Sequence, residues 1–171
     1  MLLEFDDMNE NENESYRLVH EVYGESNLLN VKWENPELEN FAEALCEYEK
    51  GYMDYVKSFL EMEQNRYYVL EIDGQWLSAL RLTRIADFYY LEALETAKEY
   101  RGKGYGTKII QELIILLEQR GKTVIRSNVS KKNAASIAVH EKCGFAIEHE
   151  NGINYLNGEQ RDSVYGMVYA G

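Results

Sequence analysis

The hydrophobic positions of this chain change period near residue 66. Before it they recur at helical spacing. Tyr16, Val19, His20 and Tyr23 share one face of a segment from Glu14 to Tyr23, and Gly24 is placed to end it. Phe41, Leu45, Tyr48, Tyr52, Tyr55, Val56, Phe59 and Leu60 make the stripe of a longer helix from about Glu37 to Glu63. Pro36 suits its first turn, and Gly51 is where it would break. A less regular piece with Leu28, Leu29, Val31 and Trp33 lies between the two. Leu2 to Phe5 reads as a short first strand and Asn9 to Asn13 as a polar connection.

From Tyr67 the period is two. Tyr67 to Ile72 and Trp76 to Ile85 read as strands joined at Asp73-Gly74, a strong hairpin signal. Tyr89 to Ala97 is a third strand, after a turn at Ala86-Asp87. Thr107 to Arg120 returns to helical spacing, with Ile109, Ile110, Leu113, Ile114, Leu116 and Leu117 on one face and Gly121 closing it. Thr123 to Val129 is a further strand, and Asn133 to Lys142 a short helix ended by Cys143-Gly144-Phe145. Ala146 to Leu156 and Ser163 to Val168 complete the strands, with Asn157-Gly158 beginning the turn between them. The order predicts an α/β (α+β) fold: a mixed, mostly antiparallel central sheet with helices on both faces.

Composition narrows the class. A chain of 171 residues with 45% hydrophobic content has the material for one domain with a core. The net charge of −12 argues against a nucleic-acid binder. Its distribution says more than its size. Residues 1–65 hold 17 acidic and 4 basic side chains, so −13, and the rest is close to neutral. No apolar run reaches the length of a membrane span, and the first residues lack the pattern of a signal peptide. With only Cys46 and Cys143, a disulfide framework is not expected, and the reading is a cytoplasmic protein. His20, His140 and His149 show no metal-ligand spacing, so no metal is expected.

The chemistry centres on Arg101-Gly102-Lys103-Gly104-Tyr105-Gly106, three glycines in five residues between a strand and a helix. Glycines let the backbone turn tightly and approach a ligand. The free N–H groups and the dipole at a helix start make an anion site, best suited to phosphate. The spacing fits neither a Walker loop nor a dinucleotide fingerprint. It fits [Q/R]-x-x-G-x-[G/A].

That hexapeptide resembles the acyl-CoA signature of the GCN5-related N-acetyltransferases, the GNAT superfamily. A second segment, Val129 to Phe145, is similar to that family's V-x-x-x-N-x-x-A-x-x-L-Y-x-K-x-G-F element and follows in the right order. The resemblance covers about residues 66–169; residues 1–65 match only as a pattern of two helices. It implies a single domain over 1–171, with 1–65 walling the acceptor side and 66–171 forming the acetyl-CoA-binding core.

The resemblance implies transfer of an acetyl group from acetyl-CoA to a primary amine, by direct attack in a ternary complex. It implies that the backbone of Gly102, Lys103, Gly104, Tyr105 and Gly106 holds the pyrophosphate, with Arg101 opening the turn. It further implies that the main chain of Leu94, Glu95 and Thr96 pairs with the pantetheine arm, that the Leu94 N–H polarises the thioester carbonyl, and that Asn133 and Ser136 contact the arm's far side. The family's usual tyrosine acid is replaced here by His140, which either donates a proton to the departing thiolate or packs as a helix histidine. Glu92 is the candidate base on the strand before the turn. Alternation puts Tyr90 and Glu92 on one face and Glu95 on the other, unless a bulge intervenes. Cys143, three residues from His140, allows a Cys–His nucleophile but reads more simply as a packed small residue. The alternatives are a non-catalytic CoA-binding or sensor protein of the same fold and an acyltransferase for a longer acyl-CoA. The partners expected are a small-molecule amine or a peptide, with no nucleic acid and no membrane; a homodimer is compatible with this reading. The acidic first part points to a cationic acceptor, with Glu21, Glu25, Glu34, Glu47 and Asp54 as candidate carboxylates.

Overall fold

A computed structural model describes residues 1–8, 12–121 and 123–171. The polar connection expected over 9–13 lies mostly outside the described residues. Seven strands form the main sheet in the order β1-β2-β3-β4-β5-β9-β6. They are β1 (Leu2–Phe5), β2 (Asn65–Ile72), β3 (Gln75–Ile85), β4 (Phe88–Thr96), β5 (Val124–Ser130), β6 (Ala146–His149) and β9 (Val164–Ala170). All neighbours are antiparallel except β4 and β5. A separate two-stranded hairpin, β7 (Gly152–Ile153) and β8 (Gln160–Arg161), stands beside it.

Two helices cover one face: α4 (Tyr105–Arg120) and α5 (Ala134–Lys142). Period-3.6 spacing puts Ile109, Ile110, Leu113 and Leu117 on one stripe of α4, and these are fully or nearly fully buried against Leu80, Leu82, Leu91 and Ile125 of the sheet. The other face carries the first helices. α1 (Glu12–Tyr16) runs into a π-helical segment, Arg17–Val22, and α2 (Gly24–Glu34) and α3 (Ala42–Leu60) follow. Val19, Val22, Tyr23, Val56, Phe59 and Leu60 pack there against Tyr67, Val69 and Ala79.

The sheet half follows the sequence pattern to within two residues at most strand ends. The helical half does not. Gly24 opens α2 instead of ending a helix, and the piece read as irregular is that helix. Its apolar residues gave no period because several face solvent: Leu29 is 54% and Trp33 84% exposed. The buried Asn27 donates Nδ2 to the Val19 carbonyl at 2.8 Å, capping a backbone acceptor where the π-helical segment meets α2. Pro36 does not open α3, which starts six residues later. There Asn40 Oδ1 accepts from the Ala42 N–H at 3.0 Å, and α3 runs unbroken through Gly51. The long strand expected from Ala146 to Leu156 is interrupted. Gly152 lies against Asn128, where a Cβ would come within 2.3 Å of Oδ1, and Asn157-Gly158 turns the small β7–β8 hairpin.

Candidate active site

The site forms where β4 and β5 part. They pair in parallel only through Tyr89↔Ile125, Tyr90↔Arg126 and Leu91↔Ser127. Beyond Leu91 the β5 side of β4 has no strand neighbour, so Glu92 to Thr96 offer an open edge. The same stretch carries a bulge. Ala79 faces Glu95 and Arg81 faces Glu92, which leaves Ala93 and Leu94 opposite Leu80 alone. Ala93 takes φ 51°, an uncommon left-handed backbone for a non-glycine residue. Buried Tyr23 donates its hydroxyl to the Ala93 carbonyl at 2.6 Å and so pins the bulge from the helical side.

The bulge changes which side chains meet. Simple alternation separates Glu92 from Glu95; with one extra residue between them both face α1–α3. Glu92 Oε2 lies 3.4 Å from Arg81 Nε, and Arg81 stacks over Tyr55 and Phe59 at 5.3 and 5.5 Å. Glu95 is held by Ser26 Oγ at 2.6 Å and Arg101 Nη2 at 2.9 Å. It therefore joins α2 to the glycine turn and is not free for chemistry. Thr96 Oγ1 lies 3.0 Å from Ser78 Oγ.

Tyr90 sits on the same face as Glu92 and is 2% exposed. Its hydroxyl accepts from Asn128 Nδ2 at 2.9 Å, and its phenol is pushed up to about 12, first by burial and then by the Glu92 charge. Asn128 Nδ2 also donates to the Ile153 carbonyl at 2.7 Å, tying the β7–β8 hairpin to the sheet. Tyr155 of that hairpin packs edge-on against Tyr90 and Phe88 at 5.2 and 5.0 Å. Arg126 lies over Phe88 at 4.7 Å and pairs with Glu148 at 2.8 Å.

The glycine turn lies at the end of β4's open edge. Gly102 and Gly104 adopt φ 74° and 84°, and a Cβ at either would meet nothing within 4 Å. Open space lines the turn, so only backbone conformation demands glycine there. Among the described residues, no backbone N–H from Gly102 to Thr107 donates to a carbonyl, and the first turn of α4 opens on that space. Arg101 turns back, with Nε on the Thr96 carbonyl at 3.0 Å, so it shapes the turn from behind. Lys103 Nζ lies over the Tyr100 ring at 5.4 Å. An array of free N–H groups at a helix start, beside an unpaired strand edge, fits the pyrophosphate and the extended amide-bearing arm of coenzyme A.

Across the splay, Asn133 caps α5, its Oδ1 accepting from the Ser136 N–H at 3.0 Å. His140 is 1% exposed. Its Nδ1 lies 2.8 Å from the Ser136 carbonyl and must carry the hydrogen there, so Nε2, 3.2 Å from Ser127 Oγ, accepts from that hydroxyl. Burial pushes its pKa down. The ring is therefore neutral, and its one N–H is spent inside α5. A proton donor to a departing thiolate needs an N–H facing the splay, and His140 does not present one. Among the described residues, the Cys143 thiol does not pair with the His140 ring. Its Sγ lies 3.5 Å from the Thr107 carbonyl, and burial pushes its thiol up to about 11. Among the acidic candidates of the first part, Glu21 pairs with Arg17 at 3.2 Å and Glu25 with Lys98 at 3.1 Å. Glu34, Glu47 and Asp54 lie exposed on α2 and α3.

Tyr23, Ser26, Arg81, Asn128 and Tyr155 were not singled out as site residues by the sequence. Each is an ordinary residue on a periodic stripe or in a loop: Tyr23 and Ser26 are placed through the bulge at Ala93, which leaves no glycine or proline signature, and Asn128 and Tyr155 meet at Tyr90 through the β7–β8 hairpin.

Comparison with known proteins identifies the family and the fold. The model of the acetyltransferase (GNAT) family matches residues 27–145. The spermidine N(1)-acetyltransferase of Escherichia coli K12 is 26% identical over 166 residues, covering 92% of this chain and 82% of that protein. Among solved structures, the PaiA N-acetyltransferase of Thermoplasma acidophilum in complex with coenzyme A superposes with a TM-score of 0.67 at 16% identity, covering 100% of this chain and 99% of that one. The ribosomal-protein-S18-alanine N-acetyltransferase of Escherichia coli gives a TM-score of 0.61 at 18% identity, covering 99% and 94%. No helix among the described residues is long and apolar enough to cross a membrane. The chain belongs to the acetyltransferase (GNAT) family and is an acetyl-CoA-dependent N-acetyltransferase.

Proposed function

We propose that the protein acetylates a primary amine of a cationic acceptor, a polyamine-like small molecule or a basic peptide end, by direct attack in a ternary complex. The observation that carries this reading is the coincidence of charge and face. Helices α1–α3, which come from the part of the chain with net charge −13 (residues 1–65), cover the face on which Glu92 lies. A cation is drawn toward that face, while the glycine turn belongs to the near-neutral remainder. The relative at 26% identity is named for spermidine, itself a polycation, which supports the same acceptor class.

Acetyl-CoA supplies an acetyl group on a thioester, open to attack by a neutral amine. The residues of this chain take the following parts. The N–H groups of Gly102 to Gly106 hold the pyrophosphate, and Leu94 to Thr96 offer the main chain along the arm. Asn133 and Ser136 contact the arm's far side. The Leu94 N–H, directly after the bulge, polarises the thioester carbonyl. Glu92 attracts the ammonium and receives its proton on the acceptor face, with Tyr90 beside it. Arg81, 3.4 Å away, pairs with Glu92 and fixes the position of its carboxylate. His140 acts as a neutral positioning residue between α5 and Ser127.

The test is an acceptor screen with thiol readout at saturating acetyl-CoA. Spermidine, putrescine, glucosamine and a lysine-rich peptide are set against neutral hydroxylic and anionic amino compounds. Turnover concentrated in the cationic set supports the reading; turnover highest with an anionic acceptor overturns it.

A further inference from the structure

The end of the sheet opposite the splay holds a cavity of about 510 Å³, between the C-terminal end of α4 and the starts of β2 and β4. Three arginines from three elements converge on it: Arg66 of β2, Arg84 of β3 and Arg120 of α4. This is unusual in a chain of net charge −12. Two of the three are already engaged. Arg120 grips Glu4 with two hydrogen bonds, 3.1 and 2.6 Å, and Tyr68 donates to the same carboxylate at 3.0 Å. Arg66 gives Nη1 to the Glu63 and Asn65 carbonyls at 2.8 and 2.6 Å, and its Nε lies 3.8 Å from Glu4. Arg84 differs. It is exposed, and among the described residues its guanidinium has neither a hydrogen bond nor an ion pair.

We infer that this cavity is a binding site for a small organic anion: one carboxylate or phosphate head on Arg84, with a flat or apolar body against Tyr89 and Leu82. The guanidinium fork matches a planar carboxylate or a phosphate edge. Tyr89 is Arg84's cross-strand partner, so the aromatic ring and the cation lie side by side at the rim. The volume falls within the range of small-molecule sites, about 300–1,000 Å³. Glu4 and Glu63 in the lining set the other limit. Two carboxylates repel a ligand with several charges, so the site favours a single anionic head over a polyphosphate. It is separate from the glycine turn, which lies beyond the far end of β4. Through Tyr89, its occupant touches the strand that carries Glu92 and the bulge.

Calorimetry with benzoate and phenyl phosphate tests this, with coenzyme A present at saturation so that the glycine turn is filled. Benzamide and benzyl alcohol serve as uncharged analogues of the same shape. Both anions are expected to bind at millimolar concentration or below. Arg84→Glu is expected to weaken them by about tenfold or more, the loss of a charged hydrogen bond, with unchanged unfolding temperature and unchanged coenzyme A affinity. Binding by benzoate alone or phenyl phosphate alone supports the site and identifies its head group. The inference is overturned if neither anion binds, if the uncharged analogues bind equally well, or if Arg84→Glu binds as the parent does.

Discussion

The two faces of the sheet are built by different means for different tasks. On the α4–α5 face the core is apolar, burial pushes the His140 pKa down, and the proposed donor surface is backbone: N–H groups at a glycine turn and a strand edge that, among the described residues, have no backbone partner. On the α1–α3 face the working surface is side chains: Arg81 with Glu92, Ser26 and Arg101 with Glu95, Tyr23 on the bulge carbonyl. A backbone site places few demands on side-chain identity beyond glycine and serves any coenzyme A thioester. A side-chain site can be remade residue by residue. On the proposed function, donor recognition belongs to the first face and acceptor choice to the second, and each of the following experiments strikes one face and spares the other.

The largest effect is expected at Gly104. Aspartate there is held at φ 84° and puts a negative charge where phosphate belongs. Acetyl-CoA binding should fall by about a hundredfold or more, while the strain costs about 1–3 kcal/mol of stability. Gly104→Ala carries the strain without the charge, so its affinity should lie between. Calorimetry with thermal unfolding separates the two terms, and equal losses in both variants would mean that the turn fails by strain alone.

On the other face, Glu92→Gln keeps the shape and removes the charge. It leaves Arg81, whose side chain is 19% exposed, without its ionic partner. We expect kcat/KM for the amine to drop by about a hundredfold, the low end of the range for a lost general base. Acetyl-CoA affinity should stay within twofold of the parent, about 0.4 kcal/mol. Steady-state kinetics with each substrate varied in turn shows whether donor and acceptor effects separate. A matching loss of acetyl-CoA affinity would break the division between faces.

These two targets also show how far the sequence could be read. The turn at Gly102 and Gly104 was legible because a left-handed turn ahead of a helix leaves few other residues to choose, whereas Gly106 lies inside α4. The segment from Val129 to Phe145 placed α5 and its Asn133 cap in the same way. Glu92 was visible as a carboxylate on the strand before the glycine turn, but its relation to Glu95 was not, because a bulge at Ala93 has no signature in residue type. The first helices were misread at Gly24 and Pro36. A π-helical turn shifts the phase of the pattern, and Trp33 and Leu29 point apolar side chains at water. His140 was legible as a departure from the family element, and its orientation was not: which nitrogen donates depends on Ser136 and Ser127, set by packing.

A smaller effect is expected at His140, on stability. Burial lowers its pKa in the folded state below the unfolded value near 6.5. The unfolded chain therefore binds the proton more readily. The stability of burying the neutral ring is fully present above pH 6.5 and is lost as pH falls below it toward the folded pKa. The slope approaches about 1.4 kcal/mol per pH unit in that window. Urea unfolding at pH 7.5 and pH 5.5 should show the parent losing more stability than His140→Gln. A kcat that loses its acidic or basic limb in the variant would instead return His140 to a direct proton-transfer role.

The central claim, that the acidic helices draw a cationic acceptor to the Glu92 face, is tested most directly by salt. With acetyl-CoA saturating, kcat/KM for the preferred amine is measured from 0.01 M to 0.1 M ionic strength, over which the screening length falls from about 30 Å to about 10 Å. The account expects kcat/KM to fall steadily across that range while kcat stays level. A flat profile, or a preferred acceptor without positive charge, would contradict it.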